Sequence, residues 1–111
     1  MVEYSFSLDI TFGALADPTR RDIMRRVSSA ELSIGQVARN YDLTFAAISK
    51  HLKVLERANL ITKRRNGKEQ IVSASPRALA DAYEYLEEYR QLWENRLDSL
   101  AAYLEESADG K

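Results

Sequence analysis

Seven basic side chains lie between Thr44 and Lys68, in a stretch that contains one acid, Glu56. The rest of the chain is acidic enough to bring the formal net charge to -1. Clustered Lys and Arg side chains neutralise phosphates, and they also donate hydrogen bonds to guanine edges. A basic stretch is often only a solvated surface. Charge alone is therefore compatible both with nucleic-acid binding and with a solvent-exposed surface that has no binding role. The seven are Lys50, Lys53, Arg57, Lys63, Arg64, Arg65 and Lys68.

The sequence offers little to other kinds of chemistry. It has no cysteine and a single histidine, His51, which excludes disulfides and thiolate metal sites. It has no Gly-rich phosphate loop, no nucleophile motif and no metalloenzyme spacing. We therefore expect no enzymatic activity, no metal site and no cofactor.

The N-terminal sequence gives no sign of export. Glu3 and Asp9 interrupt the stretch where a signal peptide has a basic start and an apolar core. No apolar run reaches the length that spans a membrane. We expect a cytoplasmic protein with no membrane partner.

Capping signals predict three short helices before the basic stretch. Residues from Leu8 to Ala16 form the first, and Asp17 followed by Pro18 is typical of the start of the second. Ser33 and Gln36 match a capping box, which predicts a third helix that runs to about Asn40.

The basic stretch begins with a predicted fourth helix over residues 44–58, capped by Thr44. Ile48, Leu52 and Leu55 recur on one face, which is the face expected to pack on the core. Asn59 is a plausible left-handed stop. Helices three and four have the lengths and separation of a helix-turn-helix.

Residues 60–74 then predict a β-hairpin, because Asn66-Gly67 is the pair that a two-residue type I′ turn prefers. In that register Arg64 faces Glu69, which leaves Arg65 and Lys68 free. The predicted fold is mainly α with a small β-hairpin, a winged helix-turn-helix.

Residues 76–106 predict one long helix with an apolar stripe. Leu79, Leu86, Trp93 and Leu100 recur every seven residues. At about 1.5 Å per residue the helix spans about 45 Å, more than a domain of this size covers by itself. The stripe could simply close the core of one chain; we favour a homodimer that pairs through the first and last helices. The predicted interface residues are Leu8, Phe12, Leu79, Tyr83, Leu86, Tyr89, Trp93, Leu97 and Leu100. We expect a single domain over residues 1–107 and a flexible tail over 108–111.

Side chains on the outward face of the fourth helix and on the hairpin are the candidates for contacts with double-stranded DNA. Lys50 is the strongest candidate for a guanine edge, although a lysine there can equally hold a phosphate. Arg20 and Arg21 sit unfavourably at the start of the second helix, which suggests an external anion or pairing with Asp17 or Asp22. The predicted DNA-binding residues are Thr44, Phe45, Ala46, Ala47, Ser49, Lys50, His51, Lys53, Arg64, Arg65 and Lys68.

Four segments of the chain resemble the ArsR (arsenic-repressor) family of bacterial transcriptional regulators. They are ALADPTRRDIM, ELSIGQVA, LTFAAISKHLKVLERANLI and KRRNGKEQIVSA. The resemblance implies a homodimeric repressor that places the fourth helix in the major groove of a pseudo-palindromic operator and the hairpin wing against the backbone. It also implies a phosphate or backbone contact for His51. Self-regulation is a further family analogy.

Metal sensing by either route known in this family is not expected. Ser33 and Gly35 stand where many members have a Cys-x-Cys pair, and residues 76–107 contain no histidine for a zinc site between the last helices. The resemblance therefore points to a metal-independent repressor. The sequence leaves open whether a small-molecule effector exists.

Three alternatives remain at this stage. The basic face of a winged helix can instead dock an acidic protein. A repressor can also bind an apolar ligand between its first and last helices, near Tyr83, Tyr89, Trp93 and Tyr103. Phe45 departs from the small or polar residue usual in the family, and it either contacts a thymine methyl or folds back as a hydrophobic staple.

Overall fold

The computed structural model describes the backbone of residues 2–109 and the side chains of residues 7–107. Within this part the chain forms five helices and a small sheet. The helices are α1 (Val2–Leu15), α2 (Pro18–Ser29), α3 (Ile34–Ala38), α4 (Phe45–Arg57) and α5 (Pro76–Asp109), and the strands are β1 (Leu32–Ser33), β2 (Ile61–Asn66) and β3 (Glu69–Ala74). This confirms the predicted mainly helical winged helix-turn-helix.

Three of the predicted helix starts are held by the expected caps. The Asp17 carboxylate accepts the backbone N–H of Arg20, and the Thr44 hydroxyl accepts that of Ala47. Ser33 and Gln36 form the complete capping box at the start of α3. Asn59 has a φ of 60°, so it ends the α4 segment in the left-handed conformation expected of it.

The first helix is longer than predicted. It begins at Val2 rather than Leu8 and ends at Leu15. Apolar and polar residues alternate from Val2 to Phe12, a period typical of a strand, which hides the helical pattern. Burial follows the helical spacing instead, since Leu8, Thr11 and Ala14 are the buried residues within positions 7–15 of α1. The buried Thr11 hydroxyl donates to the Ser7 carbonyl at 3.0 Å.

The sheet has a third strand and a hairpin register that the sequence did not predict. The strand order is β1-β3-β2, all antiparallel. Asn66 pairs with Glu69 and Arg64 with Ile71, so the predicted pairing of Arg64 with Glu69 is wrong. The turn is Gly67-Lys68, and Gly67 alone of its two residues has a positive φ, as a type II′ turn requires. Lys68 therefore lies at the tip of the hairpin.

The chain divides into two compact units, residues 1–81 and 82–111. In the first, apolar side chains from α2, α4 and the sheet form the core, including Ile23, Ile48, Leu55 and Val72, each fully buried. The second unit contains the rest of α5, and residues 108 and 109 of the expected tail are helical. Residues 110 and 111 lie outside the described residues. The expectation of one domain over residues 1–107 stays a prediction.

Candidate nucleic-acid interface

The outward face of α4 carries the polar and basic side chains that the core does not use. Ile48, Leu52 and Leu55 are completely buried, which fixes the rotation of the helix about its axis. Lys50 and Lys53 are consequently exposed. Phe45, Ala46, Ser49, Lys50 and Lys53 line one shallow depression on this face. The structure thus brings together five of the eight α4 residues predicted to contact DNA.

The other three of the eight predicted residues are Thr44, Ala47 and His51, and each makes a local contact at this end of α4. Thr44 uses its hydroxyl as the helix cap, at 3.1 Å from the backbone nitrogen of Ala47. His51 points toward α2, where its Nδ1 lies 3.3 Å from Nη1 of Arg20 and 3.9 Å from a carboxylate oxygen of Asp17. A guanidinium only donates, so Nδ1 is the acceptor in a hydrogen bond between these two groups.

Arg20 joins three elements at this point. Its Nε donates to the carbonyl of Ala14 at 2.6 Å and its Nη2 to that of Gly13 at 3.2 Å, while Arg21 donates to Leu15 at 2.9 Å. These carbonyls are at the C-terminal end of α1, where cations are favourable. The end of the preceding helix, and neither an external anion nor a side-chain ion pair with Asp17 or Asp22, is thus what Arg20 and Arg21 bind among the described residues. Only two residues separate the end of α1 from the start of α2.

A second cluster holds the turn of the helix-turn-helix. The Tyr41 hydroxyl donates to a carboxylate oxygen of Asp22 at 2.6 Å, and Arg26 both pairs with Asp22 and lies over the Tyr41 ring at 5.8 Å. Burial, together with this hydrogen bond, raises the pKa of Tyr41 to about 12. The same hydrogen bond, followed by that of Arg26, lowers the pKa of Asp22. The contacts fix the turn between α3 and α4 to α2, and the sequence had given Tyr41 no role.

The wing is tied to the rest of its unit by two of its own cations. Lys63 is mostly buried and lies 3.4 Å from a carboxylate oxygen of Glu56 on α4. Arg64 pairs with Glu31 at 2.7 Å, and Glu31 also accepts the Ser73 hydroxyl. Arg64 is still more than half exposed, so its ion pair is a weak one. It is less available to an outside anion than its neighbour Arg65.

Arg65 and Lys68 remain the exposed cations of the hairpin tip. Neither has an ion pair among the side chains of residues 7–107. Lys68 and Phe45 line a second depression, between the wing and the start of α4, together with Gly35 and Gln70. Glu69 is the acidic residue of that depression. The α4 face and the hairpin tip are thus continuous across Phe45, and they present mainly positive charge.

The described side chains, those of residues 7–107, include no cluster of three or more His, Asp or Glu that could hold a metal ion. Ser33, at one of the positions where related proteins have a thiolate, uses its hydroxyl to cap α3 at 3.1 Å from the Gln36 nitrogen. No described helix is both long enough and apolar enough to pass through a membrane.

Comparison with known proteins identifies the family. A model described as a helix-turn-helix domain matches residues 15–64. The chain is 33% identical over 103 residues to the HTH-type transcriptional regulator Rv2034 of Mycobacterium tuberculosis, covering 93% of this chain and 94% of that protein. An ArsR-like transcriptional regulator from Rhodococcus sp. RHA1 superposes with a TM-score of 0.74 at 28% identity, over 90% and 93% of the two chains. The chain belongs to the ArsR family.

ArsR-family membership settles the general activity: the chain is a DNA-binding transcriptional regulator and not an enzyme. Among its other relatives is the transcriptional repressor SdpR of Bacillus subtilis, 29% identical over 75 residues that make up 68% of this chain and 83% of that protein. The helix-turn-helix match covers all of α3 and α4. The basic α4 face therefore lies within the segment that matches the helix-turn-helix domain.

Proposed function

We propose that the protein is a cytoplasmic, homodimeric repressor that binds a pseudo-palindromic operator without the participation of a metal ion. The observation that carries the proposal is the continuous basic surface formed by the exposed face of α4 and the hairpin tip. A helix of this size fits the major groove, and exposed cations beside it hold the phosphate backbone.

Within this surface we assign different tasks to the α4 residues and the wing. Lys50, Ser49 and Ala46 lie around the start of α4, the part of a recognition helix that approaches base edges. A His51 imidazole that accepts from Arg20 through Nδ1 donates through Nε2. That donor is suited to a phosphate oxygen. Arg65 and Lys68 act as phosphate clamps, with Arg64 contributing when it leaves Glu31.

The homodimer is supported by the state of α5. Its leucine and tryptophan side chains from Leu86 onward, together with Tyr83, Tyr89 and Tyr103, remain roughly half exposed or more, at 47% for Tyr89 and 57% for Trp93 and Leu97. Contiguous apolar surface of this extent is typical of a binding face. Leu8, in contrast, is buried within its own chain, so its contribution to a dimer is to support α1 rather than to touch the partner. Phe12 and Leu79 are half-buried.

Selection of DNA sequences from a random pool tests the proposed function. We expect the purified protein to enrich an inverted repeat, because a two-fold symmetric dimer presents two identical recognition helices. The half-site centres should be about 10 to 10.5 base pairs apart, or a multiple of that spacing. Enrichment of a single half-site, or of no motif, would contradict the dimeric DNA-binding model. The promoter upstream of the protein's own gene is the natural first site to footprint.

Metal independence has a separate test. Calorimetric titration with Zn²⁺ should reveal no site tighter than about micromolar, and stoichiometric Zn²⁺ should leave the DNA complex intact, because thiolate ligands are absent and the histidine is engaged by Arg20. A matched Mg²⁺ titration controls for general salt effects on binding. Tight binding of Zn²⁺ with release of DNA would show that the repressor is a metal sensor.

A further inference from the structure

Phe45 is unusual among the side chains of the compact unit that carries the DNA-binding surface. Its exposed fraction is 64%, and Leu43, at 44%, is the other exposed large apolar side chain among residues 7–81. The remaining exposed large apolar side chains within residues 7–107 belong to α5. A single exposed apolar residue is common in proteins, so exposure alone does not establish a role. The position and surroundings of the ring are what give it one.

The structure excludes the hydrophobic staple. Thr44 is the N-cap of α4, so Phe45 is the first residue of the helix, whereas a staple requires the residue before the cap. The residue in that position is Leu43. Phe45 also remains mostly exposed, which a ring folded back onto its own helix would not be.

The ring lies between the two parts of the basic surface. On one side it lines a depression with Ala46, Ser49 and Lys50, and on the other it lines a depression with Lys68 of the hairpin tip. A helix flanked by these lysines approaches DNA with its first turn toward base edges. The only apolar group that B-form DNA presents to an approaching side chain in the major groove is the 5-methyl group of thymine.

We propose that Phe45 determines sequence specificity by packing its ring against the 5-methyl group of a thymine in each operator half-site. This inference rests on the function proposed above and adds to it one apolar, position-specific contact. It differs from the contribution of the lysines, because a methyl group carries no charge and its recognition is insensitive to salt. Burial of one methyl group predicts a loss of about fourfold in affinity per half-site when that methyl is removed.

Deoxyuridine substitution tests the proposal, since uracil lacks the thymine methyl and pairs identically with adenine. Each thymine of the enriched operator is replaced in turn, symmetrically in both half-sites. For the wild-type protein we expect one position at which the replacement weakens binding by about 15-fold in total, as two half-sites combine. Phe45→Ala should bind the thymine operator more weakly and no longer distinguish thymine from uracil there.

Leu43→Ala provides the matched control. It also removes an exposed apolar side chain beside Thr44, yet it should keep the full thymine preference. Circular dichroism establishes that both variants remain folded, as expected for residues outside the core. If no thymine is sensitive, or if Phe45→Ala keeps the preference, another group reads the base and the proposal is wrong. If the wild-type protein enriches no DNA at all, both the proposed repressor function and the Phe45 contact are wrong. If it enriches an operator whose binding does not depend on any thymine methyl group, the Phe45 contact alone is wrong.

Discussion

Trp93→Glu is expected to convert the dimer to a monomer. Trp93 lies in the apolar stripe of α5 and is 57% exposed in the single chain, and in the proposed homodimer a partner helix covers it. Burying an unpaired carboxylate costs several kcal/mol, and a symmetric interface would contain two of them. A dimer with a micromolar dissociation constant is held by about 8 kcal/mol, so this cost removes most of its stability. Sedimentation velocity at micromolar concentration measures the change.

Gln91→Glu is the matched control for this variant. It adds the same charge two residues away, about 200° around the helix and therefore on the opposite side of α5. It should remain dimeric and should bind the operator as the wild type does. A wild-type chain that sediments as a monomer would refute the dimer. A dimeric Trp93→Glu variant would place the interface away from this stripe.

The combined substitution of Arg65 and Lys68 by Ala should weaken binding to operator and random DNA alike. If each side chain holds one phosphate, a dimer loses four contacts, each of which accounts for about 0.9 in the slope of log affinity against log salt. The slope should therefore become shallower by about 3.5, and affinity near 0.1 M salt should fall by at least about tenfold. Titrations at several salt concentrations on both DNAs measure these quantities.

Lys50→Ala should give a result different from that of the combined Arg65 and Lys68 substitution. A side chain that reads a base contributes about 1 to 3 kcal/mol to discrimination, so its removal should narrow the difference between operator and random DNA. The combined substitution of Arg77 and Arg96, two cations of α5, by Ala controls for the loss of net charge. A wing variant that binds random DNA as tightly as the wild type would rule out the phosphate clamp.

The helices that position the basic surface, α4 above all, could be predicted because several local sequence signals indicate the same element. The start of α4 has a cap, a buried face at helical spacing and a left-handed stop at Asn59, and all three are present in the structure. Consistent signals of this kind determine an element more reliably than propensity does. The exposure of Lys50 and Lys53 followed from the same buried face.

The structure differs from the prediction where an element or contact depends on residues distant in sequence, or where the local sequence pattern is misleading. Strand β1 has only two residues, too few for any periodic signal, and it forms because β3 offers it an edge. The turn lies one residue further along the chain than predicted, and each cross-strand partner two residues further, because Gly67 takes the first position of a type II′ turn. The contact between Arg20 and His51 joins residues 31 positions apart, which sequence spacing does not reveal.

The attachment of the wing has a thermodynamic consequence for DNA binding. Lys63 ties β2 to α4 through Glu56, Arg64 ties it to Glu31, and Ser33 belongs to both β1 and the cap of α3. The hairpin is thus preorganised against the helix-turn-helix formed by α3 and α4. Ordering a free loop on association would subtract from the affinity, whereas a hairpin already fixed in place loses little conformational entropy. The ion pairs of Lys63 and Arg64 within the protein would thereby make the exposed cations of the hairpin tip, Arg65 and Lys68, more effective in DNA binding.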